Sequence, residues 1–190
     1  MIVAPPPLVE IRPETHRVAL SIAYATPDNF TGKPVYARPA CYLNPEAETG
    51  LCRAVDLAAI QGLKLLVFDA FRPAEAQWVL WNHTPDPNFL ADPRRGSPHS
   101  RGAAVDLTLT DPSGRPLEMG TPFDAFTPLS HHGNTEISRE AQRNRLLLMG
   151  LMTTARWDFY RNEWWHYQLF NSRRFPLLSD KVLAQPMMPG

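Results

Sequence analysis

Residues 97–110 read SPHSRGAAVDLTLT, a loop of polar and small residues that runs into a strand. From Val105 onward apolar and polar residues alternate, which is the pattern of a β-strand with one face in the core. Gly102 permits a tight turn before this strand, so the chain can fold His99 back toward Asp106. Because an unpaired buried charge is costly, a carboxylate on such a strand needs a partner. The stretch therefore predicts a strand with a polar site at its start.

A second stretch with the same residue types follows much later, at Glu163-Trp164-Trp165-His166. Residues three apart point to opposite faces of a strand, so Glu163 and His166 reach one point only if the strand begins between them or is distorted. A strand that begins at about Trp164, with Glu163 still in the turn, would allow it. Two histidines and a carboxylate are the ligand set of a catalytic zinc, which leaves one position open for water. The residues therefore predict a zinc site of His99, Asp106 and His166, with Glu163 as the base that acts on the water.

The other periodic segments predict short helices and strands at uneven spacing. They are a strand over 18–24, a helix capped by Asn44 and ended at Gly62, a strand over 63–70, a helix from Pro73 to about Trp81, a helix from Ser138 to about Met152 and a strand over 164–170. No regular alternation of strands and helices is present. The pattern indicates the α+β class, a single domain with a mixed or antiparallel central sheet and helices packed on it.

Composition excludes several function classes. The chain has 190 residues, the length of one domain, and 44% of them are hydrophobic, so wholesale disorder is excluded. The 19 acidic and 19 basic residues leave no basic excess, so we expect no nucleic-acid partner. No apolar run could span a bilayer, so we expect no membrane partner. The start, MIVAPPP, lacks the features of a signal peptide, which predicts a cytoplasmic location.

Several other residues are of types that occur in catalytic or metal sites. Arg72 stands where a buried strand gives way to a helix, where it is either a surface residue or a residue that reaches a site. The adjacent His131 and His132 point in different directions, which favours loop packing over shared metal ligation. Cys41 and Cys52 lack the close spacing of a structural zinc site and are expected to be free thiols. A nucleophilic serine, Ser97 or Ser100, is disfavoured because the Gly-x-Ser-x-Gly elbow is missing.

At this point the motifs match a known family. Ser97-x-His99-x-x-Gly102-x-Ala104-x-Asp106 with Glu163-x-Trp165-His166 resembles the D-alanyl-D-alanine dipeptidases, the VanX-type zinc enzymes of peptidase family M15. The likeness covers roughly residues 18–170, with Pro27 and Pro98 at variable positions. The other matching motifs, in the family's order, are Tyr24-Ala25-x-x-Asp28-Asn29-Phe30-Thr31-Gly32-Lys33, Asp69-x-x-Arg72-Pro73, Met119-Gly120-x-x-Phe123-Asp124 and Ser130-His131-His132.

The resemblance implies a role for each matching residue. Its zinc ligands are His99, Asp106 and His166, its general base and then acid is Glu163, its oxyanion-stabilising residue is Arg72, and its residues near the bound dipeptide are Tyr24, Ser97 and Asp124. Asp124 is a plausible partner for the substrate ammonium. The implied fold is the small α+β zinc-peptidase fold shared with D,D-carboxypeptidases and the hedgehog signalling domain. We expect residues 1–190 to form one zinc dipeptidase domain with one Zn²⁺ per chain.

The activity implied is hydrolysis of the small dipeptide D-Ala-D-Ala to two D-alanines by a metal-activated water. Two alternatives stay open on the residues alone: a D,D- or L,D-carboxypeptidase that acts on longer cell-wall peptides, and a catalytically silent zinc-binding module. The same chemistry serves vancomycin resistance or the turnover of cell-wall peptidoglycan. Residue types do not distinguish these roles, and they leave the handedness of the substrate and the oligomeric state open.

Overall fold

A computed structural model describes residues 8–190; the prediction made on the first residues, that the chain begins without a signal peptide, falls on 1–7 and lies outside this range. The helices are α1 (Pro13–His16), α2 (Pro45–Ile60), α3 (Ala74–His83) and α4 (Arg139–Thr154). The strands are β1 (Val9–Glu10), β2 (Ala19–Leu20), β3 (Tyr42–Leu43), β4 (Lys64–Asp69), β5 (Ala104–Thr110), β6 (Trp157–Phe159) and β7 (His166–Leu169). None of the helices in residues 8–190 has the length and apolarity of a membrane-spanning segment.

Within the described residues, five strands form the main sheet in the order β2-β4-β5-β7-β6. Strand β2 pairs parallel to β4, and the other neighbours pair antiparallel, so the sheet is mixed. A small antiparallel ribbon joins β1 to β3. The predicted α+β architecture is confirmed.

The middle strand β5 decides where the polar residues meet. Every one of its seven residues is buried, because β4 and β7 flank it and helices cover the sheet. Its register places Asp106 opposite His166 on β7. On the other side the register shifts after Val67, so that Asp69 of β4 also lies opposite Asp106. Such bulges re-aim side chains next to active sites, and this one places two carboxylates beside each other.

Helices α2 and α4 are capped as the sequence predicts. The Asn44 side chain accepts a hydrogen bond from Ala47 N–H, and the Ser138 side chain accepts one from Ala141 N–H. Each cap satisfies one of the backbone donors that a helix start leaves free. The buried face of α2 contains Leu51 and other apolar residues of the core. The helices pack on the sheet, and loops surround the end of the sheet where the polar residues lie.

Three segments differ from the sequence prediction. The strand predicted over 18–24 pairs only at Ala19–Leu20, and the chain then bends into a 3₁₀ turn, Ala23–Ala25. The strand predicted over 164–170 begins at His166, because residues 161–165 form turns. Helix α3 starts at Ala74 with Pro73 as its N-cap and continues to His83. Short strands such as β6 carry too few residues to show a period.

Gly102 joins the histidine loop to the sheet. It follows the 3₁₀ turn His99–Arg101 with a φ of 61°, in the left-handed region that disfavours side chains. A Cβ at this position would lie 2.6 Å from a methyl of Leu8 and 3.0 Å from the backbone nitrogen of Asn44. That same nitrogen donates to the Gly102 carbonyl, at 2.9 Å. The turn therefore fits glycine alone, and it ties the start of α2 to the polar site.

We expect Gly102→Ala to destabilise the protein by about 2 kcal/mol or more, because the left-handed backbone costs about 1 kcal/mol and the close contacts add to it. Gly62→Ala is the matched control: Gly62 has a φ of 70° but nothing within 4 Å of the added Cβ. Urea unfolding of both variants measures the difference. Equal losses in the two variants would show that the Asn44 contact does not constrain the turn.

Candidate active site

Three buried side chains from two neighbouring strands and a turn converge at the polar end of the sheet. The Nε2 atom of His99 lies 3.1 Å from Nδ1 of His166 and 3.3 Å from Oδ1 of Asp106. Nδ1 of His166 lies 3.1 Å from the same carboxylate oxygen. All three residues are buried, and the predicted ligands are thus brought together.

The protonation of the two imidazoles fits a bound cation. Nδ1 of His99 lies 2.7 Å from the carbonyl oxygen of Ala70, so it is the nitrogen that carries the proton. Nε2 of His166 lies 3.1 Å from Oε1 of Gln168, to which it donates. Nε2 of His99 and Nδ1 of His166 therefore carry no proton. Their lone pairs face each other and the carboxylate of Asp106. Such outer hydrogen bonds are typical of histidine ligands of metals.

The separations also fit a tetrahedral ion. Nitrogen and oxygen ligands about 2.0–2.1 Å from a zinc ion lie about 3.3 Å from one another, close to the 3.1–3.3 Å separations among these three atoms. The donor set is therefore one that suits zinc.

Glu163 lies beside this cluster, in the turn before β7. Its Oε2 is 3.9 Å from Nδ1 of His166, and the side chain is buried. The expectation that the strand begins between Glu163 and His166 is confirmed, since β7 starts at His166. Burial, and then the negative charges of Asp106 and Asp124, raise the pKa of Glu163 well above its ordinary value. The carboxyl is therefore poised to hold a proton.

Arg72 is not a surface residue. Only 5% of it is exposed, and its guanidinium donates to Asp69 at 2.8 Å and to Gln77 at 3.0 Å. A third, longer contact of 3.5 Å reaches Oδ2 of Asp106. Three of its five donors are thereby used, and the guanidinium forms part of the cavity wall beside the ligand cluster. The side chain is fixed in position by its partners before any ligand binds.

Tyr24 and Asp124 form a hydrogen-bonded pair that also lines the cavity. The Tyr24 hydroxyl donates to Oδ2 of Asp124 at 2.7 Å, and the guanidinium of Arg72 lies 5.0 Å from the centre of the tyrosine ring. Burial raises the pKa of Asp124 to about 8, although the Tyr24 hydrogen bond opposes this shift. Within residues 8–190 no positively charged side chain forms an ion pair with Asp124, so a cation brought next to this carboxyl would be stabilised by it.

Ser97 has a local role in addition to lining the cavity. Its Oγ accepts a hydrogen bond from the backbone N–H of His99, at 3.1 Å. The contact is with the backbone and not with the imidazole, so Ser97 lacks the geometry of a nucleophile activated by His99. It lies in the wall of the cavity, as expected for a residue near a bound substrate.

The cavity that these residues line has a volume of about 200 Å³. This is smaller than the 300–1,000 Å³ typical of sites for drug-sized ligands. The loop over 83–96 contributes wall residues, and Asp124 comes from the irregular stretch 119–136. The wall residues from the first loop are Pro87, Phe89, Leu90 and Ala91. The cavity thus has the size of a small molecule.

A sequence model of peptidase family M15, described as D-Ala-D-Ala dipeptidase, matches residues 7–185. The chain belongs to this family. M15 peptidases are zinc metallopeptidases, so the predicted resemblance is confirmed together with the enzyme class. A zinc-dependent family agrees with the donor set of His99, Asp106 and His166.

Relatives within the M15 family carry one name. The chain is 42% identical over 162 residues to the D-alanyl-D-alanine dipeptidase of Escherichia coli (strain K12), which covers 85% of this chain and 84% of that protein. It is 36% identical over 175 residues to the D-alanyl-D-alanine dipeptidase of Enterococcus faecium, covering 81% and 87%. The enzyme of the same name from Streptomyces coelicolor is 36% identical over 169 residues, covering 77% and 83%.

The sequence predicts no role for three residues that position the M15 site, which are Asp69, Gln77 and Gln168. Asp69 accepts hydrogen bonds from Arg72 and from the Tyr36 hydroxyl, the latter at 2.9 Å. Gln77 accepts from Arg72 and donates to the Ala91 carbonyl, which links the arginine to the cavity loop. A carboxylate at the end of a buried strand, three residues before an arginine, was a signal for Asp69. The amide of Gln168 carries no such signal.

The rival ligands lie elsewhere. His132 packs edge-on against Phe159 and Tyr167, and its Nε2 is buried without a hydrogen-bond partner among the described residues. The interpretation of this histidine as a loop-packing residue agrees with that position. Cys41 and Cys52 are free thiols, as expected. Ser100 is buried, and its hydroxyl has no partner within residues 8–190, so it is not paired with a histidine.

His132 makes the stability of the protein depend on pH. Burial, and then the charge of Arg145, lower its pKa to about 4. In the unfolded chain the imidazole takes up a proton near pH 6.5. Between these pH values the unfolded state binds more protons than the folded state. The contribution of His132 to the free energy of unfolding is therefore complete above pH 6.5 and declines as the pH falls toward 4.

The free energy of unfolding of the wild type should fall from pH 7 to pH 5. We therefore expect the fall in His132→Phe to be smaller by about 1–2 kcal/mol. Urea unfolding at the two pH values measures this difference. His83→Phe, at an exposed histidine, should retain the wild-type dependence. An unchanged pH dependence in His132→Phe would contradict the assignment.

Proposed function

We propose that this chain is a zinc-dependent dipeptidase that hydrolyses D-alanyl-D-alanine to two molecules of D-alanine. One observation carries the proposal: a buried cluster of two lone-pair nitrogens and a carboxylate opens onto a small cavity that Glu163 and Arg72 also line. Membership of the M15 family and the shared name of the relatives support the choice of substrate.

His99, Asp106 and His166 would hold one zinc ion, through the atoms that converge at 3.1–3.3 Å. When bound, zinc lowers the pKa of a coordinated water toward about 7 and polarises a carbonyl group. Ala70 and Gln168 hold the two imidazoles in the protonation states that leave their ligand atoms free. These contacts prepare the ligands in advance.

Glu163 moves the proton of the reaction. It accepts a proton from the attacking water as the water oxygen bonds to the peptide carbon. It then delivers that proton to the amide nitrogen as the C–N bond breaks, so that the second D-alanine leaves with its amine protonated. The raised pKa of Glu163, caused first by its burial, suits a group that must hold the proton between the two steps.

Arg72 supplies positive charge where negative charge develops on the carbonyl oxygen. Its remaining donors belong to a guanidinium that Asp69 and Gln77 hold in place, so little reorganisation is needed during the reaction. The loss of one such preorganised donor commonly costs about 3–4 kcal/mol. The buried ion pair with Asp69 thus serves to orient the arginine.

Asp124 would bind the ammonium of the dipeptide, with Tyr24 holding the carboxylate in place and Ser97 lining the wall beside it. A cavity of about 200 Å³ suits two small residues and disfavours the carboxypeptidase alternative, which needs room for a longer peptide. The silent-module alternative leaves Glu163 and Arg72 without a purpose, since a structural zinc site needs neither.

The wider setting is part of the same proposal. Residues 1–190 form one catalytic domain located in the cytoplasm, where the enzyme removes D-Ala-D-Ala in vancomycin resistance or in cell-wall turnover. One continuous core that extends from Ile11 to Met187 supports the single domain.

We expect Glu163→Gln to lower kcat about 10²–10⁴-fold while leaving the metal content as in the wild type, because the proton acceptor is lost and the ligands are kept. Release of D-alanine and metal analysis measure the two effects. Glu136→Gln, at an exposed glutamate, is the control. Chelator should abolish D-alanine release and zinc should restore it. Undiminished turnover in Glu163→Gln, or indifference to chelator, would refute the mechanism.

We expect Asp124→Asn to raise KM at least about tenfold with a smaller change in kcat, because a buried carboxylate that meets an ammonium is replaced by a neutral amide. The N-acetylated dipeptide is the matched substrate control, since it lacks the ammonium. Wild type and variant should bind that analogue equally weakly. A KM for D-Ala-D-Ala unchanged by Asp124→Asn would place the ammonium elsewhere. Comparison with L-Ala-L-Ala and a stem pentapeptide tests handedness and length.

A further inference from the structure

A second group of metal-ligating side chains lies where α1 meets α2. His16 ends α1, and Glu48 and Cys52 stand one turn apart on α2. Nε2 of His16 lies 3.4 Å from Oε1 of Glu48, and Sγ of Cys52 lies 3.7 Å from the same oxygen. The three ligand atoms all fall within 4.8 Å of one another. None of these residues lines the catalytic cavity.

We propose that His16, Glu48 and Cys52 form a second metal site, structural in role, for a borderline divalent cation such as zinc. It is independent of the proposed dipeptidase activity, because it shares no residue with the catalytic cluster.

The two separations from Oε1 of Glu48 are those of ligands on one ion. With zinc bonds of about 2.0–2.1 Å to nitrogen and oxygen and about 2.3 Å to sulfur, tetrahedral ligands lie about 3.3 Å apart for nitrogen and oxygen and about 3.5 Å apart for oxygen and sulfur. The observed 3.4 Å and 3.7 Å are close to these values. The first of these is long for a hydrogen bond between an imidazole and a carboxylate, so this pair meets at a spacing that suits a shared metal ion.

The histidine has a partner for its other nitrogen. Nδ1 of His16 lies 3.2 Å from the Arg12 carbonyl and 2.8 Å from the Thr15 hydroxyl, so a proton on Nδ1 has acceptors and Nε2 is free to bind a cation. The backbone N–H of Arg12 also lies 3.1 Å from Nδ1, a contact made only in the other tautomer. Metal binding selects the first tautomer, as the outer partners of ligating histidines do.

The surroundings favour a cation. The side chain of His16 is only 10% exposed and that of Glu48 is 27% exposed, so the ligands are partly shielded from water. The nearby Arg17 is paired with Asp56, which offsets its charge. Thiolate and imidazole together select zinc or cobalt over magnesium and calcium, which prefer oxygen ligands. The fourth position would be taken by water. The bound ion would tie the N-terminal segment to α2.

Cobalt titration of the full chain tests the site, because Co²⁺ replaces zinc and a thiolate ligand produces an intense near-ultraviolet charge-transfer band. The catalytic cluster contains no sulfur and cannot produce this band. We expect two cobalt ions per chain and one thiolate band. Cys52→Ala should keep one ion and lose the band. His16→Gln should weaken the thiolate site at least about tenfold. Cys41→Ala is the matched control, since Cys41 is a core thiol, and it should keep both ions and the band.

A second measurement uses the unmodified chain, so the test survives if a variant fails to fold. Alkylation of Cys52, followed by peptide mass analysis, should slow at least about tenfold when zinc is saturating. D-alanine release by Cys52→Ala should equal that of the wild type. The proposal is overturned if folded wild-type protein binds one cobalt without a thiolate band, if the band survives Cys52→Ala, or if zinc leaves the alkylation rate of Cys52 unchanged.

Discussion

The pairing of β5 with β7 places Asp106 opposite His166, and the rest of the site depends on that register. The turn at Gly102 then brings His99 to the same carboxylate oxygen, 3.3 Å away. Two imidazole lone pairs and a buried carboxylate are unfavourable together unless a cation joins them. The three donor atoms at this end of the sheet are thus placed as they would be around a bound cation.

Buried charges beyond the ligands follow from the same constraint. The bulge in β4 places Asp69 next to Asp106, and Arg72 lies between them with contacts to both. Without Arg72 the two carboxylates would repel each other in a desolvated site. Glu163 and Asp124 respond to the same negative surroundings with raised pKa values, whose first cause is burial. The electrostatics of the cavity therefore favour cations and protons.

Local chemistry predicted much of the fold. The caps at Asn44 and Ser138 and the strands over 64–69 and 104–110 follow from short-range patterns, and the structure contains them. The strand predicted over 18–24 is longer than the observed one, Ala19–Leu20. The chain bends after this strand into a 3₁₀ turn, and the periodicity of the apolar residues does not show that bend. The short strands β1, β3 and β6 exist only because a partner strand lies beside them, so their formation depends on tertiary pairing.

The sequence by itself determined the residue types and their spacing: His99 and Asp106 around a glycine turn, and Glu163 three residues before His166 in a segment that could not be a strand throughout. These were sufficient to predict a metal centre and its base. Only the tertiary structure decided that Arg72 is buried against Asp69, that Gln77 and Gln168 hold their partners, and that His132 packs against Phe159 and Tyr167. It also brought His16 to α2. These partners of Arg72 and Gln168 lie two to five residues away in the chain, whereas His16 and His132 meet residues more than 25 positions away. Sheet register and helix packing set all of these contacts, because they decide which side chains are buried and which way they point.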